Sequence, residues 1–216
     1  MQPVCPAPKG IVAAMITYND MPLVCESIES IYPQVERIVV IDGRYADFPG
    51  KEWLSNDGTR EYLLGLDKVT VVDGPGLLEN EKRNLYLEGL ADFQTLLVLD
   101  SDEVVEGKLC TLDYDIGLVP FWEGGRKQML ATRLFRYREG LRYGGVHYVL
   151  ETLQGRPFNT RHHAAAPFTD IKITSFAIRH QGQKRSDGRK FAKAAYYKNL
   201  IIREVAYRKK AKFPIK

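Results

Sequence analysis

Two aspartates stand two positions apart directly after an apolar run, in the segment TLLVLDSDE. The run is Thr95–Leu99, and Asp100 and Asp102 follow it. Such a run predicts a buried strand, and ligands of α/β proteins bind beyond the carboxyl ends of such strands. Two carboxylates on one turn can share a hard cation, Mn²⁺ or Mg²⁺, with the phosphates of a substrate. The simpler interpretation is a solvated acidic turn, or Asp102 as the cap of a short helix.

Other polar groups stand where a strand ends or a helix begins. Asp42 ends the run RIVVID, where it can accept a hydrogen bond from a ribose or a base, or form a turn before Gly43. Lys82 and Arg83 lie at the start of a predicted helix, where they can neutralise phosphate or form its solvated face. Asn84 is harder to explain as a surface residue, because Asn is unfavourable inside a helix.

The elements that would position these groups alternate along the first half of the chain. Apolar runs predict buried strands, and apolar residues at helical spacing predict helices. The predicted strands are Gly10–Ile16, Arg37–Asp42, Val69–Val72 and Thr95–Leu99, and the predicted helices are Leu23–Tyr32, Gly58–Leu66 and Asn80–Ala91. Repeated strand–helix units of this kind predict an α/β fold, with a mostly parallel, Rossmann-like sheet and helices on both faces.

The second half has a more mixed pattern, with Gly-rich turns between its predicted strands. These strands are Met129–Arg136, Val146–Leu153 and Ile171–Ile178. A final helix is predicted over Lys190–Arg208, with apolar residues from Phe191 to Val205 along one face. No repeat or linker divides the 216 residues, so a single domain is predicted.

Composition and charge exclude several classes of protein. Hydrophobic residues make up 44% and charged residues 27% of the chain, as in ordinary globular proteins. No apolar run approaches the roughly 20 residues that cross a bilayer, and the Pro-rich N-terminus is not a signal peptide, so the cytoplasm is the expected location. Cys5, Cys25 and Cys110 are widely spaced, which argues against disulfides and zinc.

The basic residues are concentrated near the C-terminus. The net charge of +4 is too small to indicate nucleic-acid binding, but 13 Lys and Arg residues against two acidic ones occur from Arg179 onward. No nucleic-acid partner is therefore expected. The last run, YRKKAKFPIK, can instead form a peripheral contact with anionic lipid at the inner membrane face, or be a solvated end.

Seven segments in the same order resemble glycosyltransferase family 2 and related GT-A enzymes. They are IVAAMITYND, RIVVIDG, SNDGT, ENEKRN, LDSDE, RLFRYREGLRYGGVHYVLE, and IRHQG followed by RKFAKAAYYKNLIIRE. The resemblance implies a GT-A fold and transfer of a sugar from a UDP- or GDP-linked donor to a hydroxyl acceptor, with inversion. About 1–103 would bind the donor, and about 104–216 would form the acceptor side of the same domain.

The resemblance also assigns residues to the site. It implies that the metal is held by Asp100 and Asp102, with His180 of the H-x-G segment completing the shell; a loop histidine bonded to backbone is the alternative. The basic loop 185–189 can fold over the donor diphosphate or simply be solvated. The implied contacts to the nucleotide sugar are Thr17, Tyr18, Asn19, Asp42, Asp57, Lys82, Arg83, Asn84 and Asp100.

Two departures from the family pattern affect the chemistry. Inverting transfer needs a general base, but Tyr148 stands where the family has a carboxylate after His147. His147 and Glu151 share one face of a strand, and both are candidates for the base. An insertion of twelve residues, Arg44–Ser55, follows the second strand as a loop over the nucleotide pocket.

Two other functions stay open. A degenerate relative could bind a nucleotide sugar without transferring it, and Tyr148 favours this alternative. A nucleotidyltransferase also needs an α/β fold and metal-binding carboxylates. Such an enzyme normally has a Gly-rich loop after its first strand, and TYNDMP is not one.

Overall fold

The computed structural model describes residues 10–144, 149–151, 157–158 and 170–210. Four α-helices and twelve strands occur in these ranges. The helices are α1 (Leu23–Ile31), α2 (Thr59–Leu64), α3 (Glu79–Leu85) and α4 (Asp187–Lys210). The strands are β1 (Ile11–Thr17), β2 (Arg37–Asp42), β3 (Val69–Asp73), β4 (Thr95–Val98), β5 (Glu103–Glu106), β6 (Ile116–Glu123), β7 (Arg126–Arg136), β8 (Arg142–Gly144), β9 (Val149–Glu151), β10 (Pro157–Phe158), β11 (Ile171–Ile173) and β12 (Ala177–His180).

The main sheet has the predicted parallel order in its first half. Its strands lie in the order β3-β2-β1-β4-β7-β6-β12-β5, with β11 beside β6. Strands β3, β2, β1 and β4 are parallel, whereas β7 runs antiparallel to both β4 and β6. A small antiparallel sheet of β8, β9 and β10 lies apart from it. The α/β, GT-A-like architecture with a mixed second half is thus confirmed.

Helices cover both faces of the sheet, as two separate hydrophobic clusters show. Ile11, Ala13 and Met15 of β1 pack with α1 and α2, while Val12 and Ala14 pack on the other face with residues at the end of α3. Because alternate residues of one strand enter opposite clusters, all of β1 is buried. This explains why its sequence is continuously apolar.

Several predicted elements have different boundaries. Helix α3 stops at Leu85 rather than Ala91, because the chain then forms turns and Gly89 has a positive φ of 72°. The predicted strand Ile171–Ile178 is divided into β11 and β12 by a turn in which Thr174 Oγ1 donates to the carbonyl of Phe176. Strands β5, β6, β8 and β10 were not predicted.

Helix α4 begins at Asp187 and packs through a face that its sequence pattern does not indicate. Tyr196 and Leu200 are buried and contact Phe48 of the insertion. Arg203 forms an ion pair of 2.5 Å with Asp47 of the same loop. Of the apolar residues expected along one face of this helix, Tyr197 is partly buried and lines a pocket. The others are exposed: Phe191, Ala194, Ala195, Ile201, Ile202 and Val205. No helix within the described ranges is long and apolar enough to cross a membrane.

Candidate functional site

A polar pocket lies at the carboxyl ends of β1 and β4, the edge at which parallel sheets bind ligands. Both predicted aspartates, Asp100 and Asp102, line it together with residues of the insertion and of α4. The lining residues are Ile16, Thr17, Tyr18, Asp20, Tyr45, Phe48, Glu79, Arg83, Asp100, Ser101, Asp102, Arg185, Arg189, Lys193, Tyr196 and Tyr197.

Asp100 is held by two arginines. Its Oδ1 lies 3.3 Å from Nη2 of Arg83, and its Oδ2 lies 3.0 Å from Nη2 of Arg133. Burial opposes ionisation of Asp100, but the charges of Arg133 and Arg83 outweigh it and hold its pKa well below the usual value. Arg133 also contacts Glu103 at 2.5 Å, and burial raises the pKa of Glu103 to about 7. Asp100 therefore belongs to a buried ionic network.

Asp102 is fully buried and meets three nitrogen groups through one oxygen. Its Oδ2 lies 3.1 Å from Nε2 of His180, 3.2 Å from Nη2 of Arg185 and 3.3 Å from Nζ of Lys193. Burial opposes its ionisation, but the hydrogen bond from His180 and the charges of Lys193 and Arg185 hold the pKa of Asp102 below its usual value. The carboxylate is therefore ionised and surrounded by positive charge.

His180 connects Asp102 to a second carboxylate. Its Nδ1 lies 2.9 Å from Oε1 of Glu123, at the end of β6. Burial opposes a charge on the ring, but the hydrogen bond to Asp102 raises the pKa of His180 above its usual value. Gly182 makes this arrangement sterically feasible, because a Cβ there would lie 2.4 Å from Cε1 of His180. This accounts for the glycine of the H-x-G segment.

A cluster of cations from one segment covers the pocket. Arg185 precedes α4, and Arg189 and Lys193 lie on its first turns. Arg185 Nη2 lies 3.0 Å from Oδ1 of Asp20, and Arg189 lies 3.4 Å from the same oxygen. Asp20 in turn accepts a hydrogen bond of 2.5 Å from Ser101. The pocket thus contains a paired set of acidic and basic groups.

Four buried polar atoms of the pocket have no hydrogen-bond partner among the described residues. They are Oγ1 of Thr17, Nε of Arg185, Nε of Arg189 and the hydroxyl of Tyr196. An unsatisfied buried donor or acceptor costs about 1–3 kcal/mol. Their concentration around one pocket is the pattern expected of a site that takes a polar ligand.

Aromatic rings form the opposite wall. Tyr45 and Phe48 come from the insertion, and Tyr45 stacks on Tyr196 of α4 at a centroid distance of 5.1 Å. Tyr18 meets Phe48 edge to face at 6.1 Å. The insertion therefore lies at the pocket, as expected, and it also anchors α4.

Other predicted contact residues are engaged outside the pocket lining. Asp42 is buried, where it accepts hydrogen bonds from Ser55 Oγ at 2.6 Å and from Arg60 at 3.1 Å. Lys82 donates to the carbonyl of Gly43 and lies 4.4 Å from the centre of the Tyr45 ring.

Three predicted polar contacts bind backbone groups. Asp57 accepts from the amides of Met21 and Thr59 at 3.0 and 3.1 Å. Asn19 accepts from the amide of Asn56 at 2.8 Å. Asn84 pairs with both backbone groups of Tyr143, donating at 3.0 Å and accepting at 2.7 Å. The unfavourable helix residue Asn84 therefore has a structural role, joining α3 to β8.

Neither candidate for the general base is among the described residues that line the pocket. His147 lies outside the described residues. Glu151 ends β9, where it pairs with Arg142 of β8 and Pro157 of β10.

The donor set at Asp102 is compatible with Mn²⁺ or Mg²⁺. No group of three or more His, Cys, Asp or Glu residues that could hold a metal occurs in the described ranges. However, these ions commonly take only one or two protein ligands and complete their shell with phosphate and water. A histidine whose second nitrogen meets a carboxylate, as in His180 with Glu123, is a usual partner. Asp102 and His180 therefore fit, while Asp100 is bound to arginines.

Several residues that line the pocket or contact Asp100 and His180 were not predicted. Asp20, Arg133, Glu123 and Lys193 come from four separate elements, and no short motif connects them. Arg185 and Arg189 were recognised only as part of a basic loop. The available signal was the four-residue spacing of Arg189 and Lys193, which places both cations on one helix face.

Comparison with known proteins finds likeness in solved structures only. No protein-family model matches the sequence, and no curated protein does. S. aureus TarS matches with 15% identity and a TM-score of 0.45 over 58% of this chain. A second structure, of TarS 1–349, matches with 16% identity and a TM-score of 0.43 over 58% of this chain. The matches span 28% and 46% of those two chains.

Proposed function

We propose that this protein is a glycosyltransferase that moves a sugar from a UDP- or GDP-linked donor to a hydroxyl acceptor, with inversion. The observation that carries the proposal is the partly buried cation cluster of Arg185, Arg189 and Lys193, which faces Asp20 and Asp102 at the carboxyl ends of β1 and β4. Its position is that of a ligand site in an α/β sheet.

A diphosphate is the ligand that this cluster suits best. Guanidinium groups bind phosphate oxygens through paired hydrogen bonds, and such charge-assisted bonds are stronger than neutral ones. The unpartnered Nε atoms of Arg185 and Arg189 would gain acceptors. Without a ligand, Asp20 and Asp102 neutralise the cluster. We therefore propose that the diphosphate, when bound, replaces these carboxylates as the ion-pair partner of the cations.

The same pocket has groups for the rest of the donor. Oγ1 of Thr17 and the hydroxyl of Tyr196 are buried without partners and can bond to ribose or sugar hydroxyls. The rings of Tyr18, Tyr45 and Phe48 supply apolar surface for a base. Asp42, Lys82, Asn19, Asp57 and Asn84 would then support the pocket from behind, through the contacts described above.

A Mn²⁺ or Mg²⁺ ion would be held by Asp102 and His180, with Glu123 orienting the ring. When bound, such an ion neutralises charge on a departing diphosphate. The chain itself would contribute Arg185, Arg189 and Lys193 to the same charge, while Arg83 and Arg133 keep Asp100 in place. The acceptor proton would be taken by His147 or Glu151, on the acceptor side.

The proposal is tested by donor turnover. Wild-type protein is incubated with UDP- and GDP-sugars and Mn²⁺, and release of free UDP or GDP is followed with and without candidate acceptors. We expect release from one nucleotide class, reduced at least 10- to 100-fold in Asp102→Asn. Asp187→Asn, which changes a fully exposed aspartate near the same segment, should behave as wild type.

Other outcomes identify the alternatives. Binding of a nucleotide sugar without release of nucleotide, under all acceptors tested, would indicate the degenerate binding protein. Formation of pyrophosphate from a nucleoside triphosphate and a sugar phosphate would indicate a nucleotidyltransferase. Equal turnover by wild type and Asp102→Asn would contradict the assigned site.

A further inference from the structure

Helix α4 exposes its apolar residues to solvent. Phe191 is 80% exposed, Ile201 62%, Ile202 60% and Val205 38%. Large contiguous apolar patches are uncommon on the surface of a monomer and usually mark an interaction site. The helix therefore carries a surface that its packing in this fold does not use.

These residues lie on one side of the helix, opposite its buried side. With about 3.6 residues per turn, Phe191, Ile202 and Val205 lie on the far side from Tyr196 and Leu200, which are buried. We define the outer face of α4 as Phe191, Ala194, Ala195, Lys198, Ile201, Ile202 and Val205, all of them exposed.

The charge around the outer face is positive. Lys198 is exposed in the middle of the face, and Lys190 is exposed at its edge. Arg208, Lys209 and Lys210 form the last turn of the helix. From Arg179 onward the chain has 13 of its 31 basic residues but only two of its 27 acidic ones. The rest of the chain is acidic in balance, so the segment that contains α4 is the basic part of the sequence.

We propose that the outer face of α4 docks on an anionic lipid bilayer. An apolar helix face with basic residues at its edges is the type of surface that lies in a membrane interface. Anionic headgroups attract the basic residues, and a lysine within the face can extend its amine to the headgroups while its methylenes stay in the apolar layer.

A second copy of the chain is a poorer occupant of the same face. A two-fold dimer through this face would place the same patch of each copy against the other. Two positively charged helices, each with Lys198 in the contact, would then repel each other. An anionic surface has the complementary charge.

Docking would place the pocket close to the membrane. Arg189, Lys193 and Tyr196 line the pocket from the inner side of the same helix, and a helix with its side chains is about 10–12 Å across. The docking itself does not depend on the proposed reaction, and its test does not use activity.

The test is flotation of the full chain with vesicles of phosphatidylcholine containing phosphatidylglycerol, and with vesicles of phosphatidylcholine alone. We expect binding to the anionic vesicles that weakens with added salt. The double variant Phe191→Ser/Ile202→Ser should bind at least about tenfold more weakly. Lys198→Glu should also bind more weakly, through loss of charge attraction.

The control changes two exposed apolar residues that lie outside α4. Leu64→Ser/Ile173→Ser alters two residues that are each 62% exposed and should bind vesicles as wild type does. Equal vesicle binding by the outer-face variant and wild type would overturn the proposal. The proposal would also be overturned if the wild type bound neither kind of vesicle and instead formed a dimer, detected by light scattering, that the outer-face variant did not form. Nucleotide binding, measured separately, should be the same in all these variants.

Discussion

Replacing Gly182 by alanine would add a methyl group to the centre of the His180–Asp102 contact. The new Cβ would lie 2.4 Å from Cε1 and 2.9 Å from Nε2 of His180, and 3.1 Å from Oδ2 of Asp102. Contacts under 3.0 Å are not tolerated, so the imidazole ring must move. The backbone at Gly182 does not have a positive φ, so the effect of the substitution would be steric alone.

The size of the effect of Gly182→Ala depends on how the His180 ring can move. The side chain of His180 is 19% exposed, so it can turn partly toward solvent rather than force the backbone apart. Insertion of one methyl group into a packed site costs about 1–3 kcal/mol, and we expect the lower end. The turned ring would lose its 3.1 Å contact with Asp102. Loss of an aligned ligand or its orienting partner weakens metal binding about 10- to 100-fold.

The assay is titration of Mn²⁺ into the protein with a saturating nucleotide, together with thermal unfolding. Gly188→Ala is the control, because it is the same substitution at a position with nothing within 4 Å of the added Cβ. We expect Gly182→Ala to lose Mn²⁺ affinity and Gly188→Ala to keep it. Equal Mn²⁺ affinity in the two variants would refute the assignment of His180 and Asp102 as metal ligands.

Three other changes test the groups around the pocket. Phe48→Ala removes a buried ring that packs on Tyr196, so the free energy of unfolding should fall by about 3–5 kcal/mol. Amide hydrogen exchange in α4 should become faster, and unchanged exchange would contradict the anchoring role of Phe48. Asp42→Asn should lower the free energy of unfolding, measured with denaturant, by about 1–3 kcal/mol. Asp73 also pairs with Arg60 but is exposed, so Asp73→Asn should lower it by less than about 1 kcal/mol. Burial lowers the pKa of Lys82 to about 7 from 10.5, so between these values the unfolded chain binds a proton that the folded chain does not. Stability should therefore rise with pH from about 7 toward 10; Lys82→Met should lack this rise, and an unchanged pH slope would contradict it.

The parallel half of the fold could be predicted because its strands are buried on both faces. Continuous apolar runs such as IVAAMIT and RIVVID have few other interpretations when helical segments separate them. The position of Asp100 and Asp102 followed from the same logic, since the end of a buried parallel strand is a fixed place in the sheet. Local pattern and tertiary structure agree here.

Prediction was poorer where tertiary contacts override the local pattern. The β6–β7 hairpin turns at Gly124 and Gly125, but β6 contains Pro120 and Gly117, which are unfavourable in strands. Strand β5 was not predicted, because it directly follows the acidic turn of Asp100 and Asp102 and its pairing with β12 has no local signal.

Helix α4 is a further case in which tertiary contacts override the local sequence pattern. Its apolar pattern normally indicates the face turned to the core, yet its buried side contains Tyr196 and Leu200 together with the cations of the pocket. The paired charges of Asp20, Asp102, Arg185 and Arg189 connect segments more than 80 residues apart. No spacing rule reaches across such a distance, so the cation cluster could be found only in three dimensions.

The central claim, that the cation cluster binds a nucleoside diphosphate, is tested most directly by calorimetric titration of UDP and of GDP, with and without Mn²⁺. The wild type is compared with Arg185→Gln/Arg189→Gln and with Lys184→Gln, an exposed lysine that pairs with Glu26 at 2.7 Å. Hydrogen bonds to charged groups are worth about 1.5–3 kcal/mol each, so the double variant should bind one nucleotide at least about a hundredfold more weakly, while Lys184→Gln binds it as wild type. Failure of folded wild type to bind either nucleotide, or equal affinity in the double variant, would contradict the account.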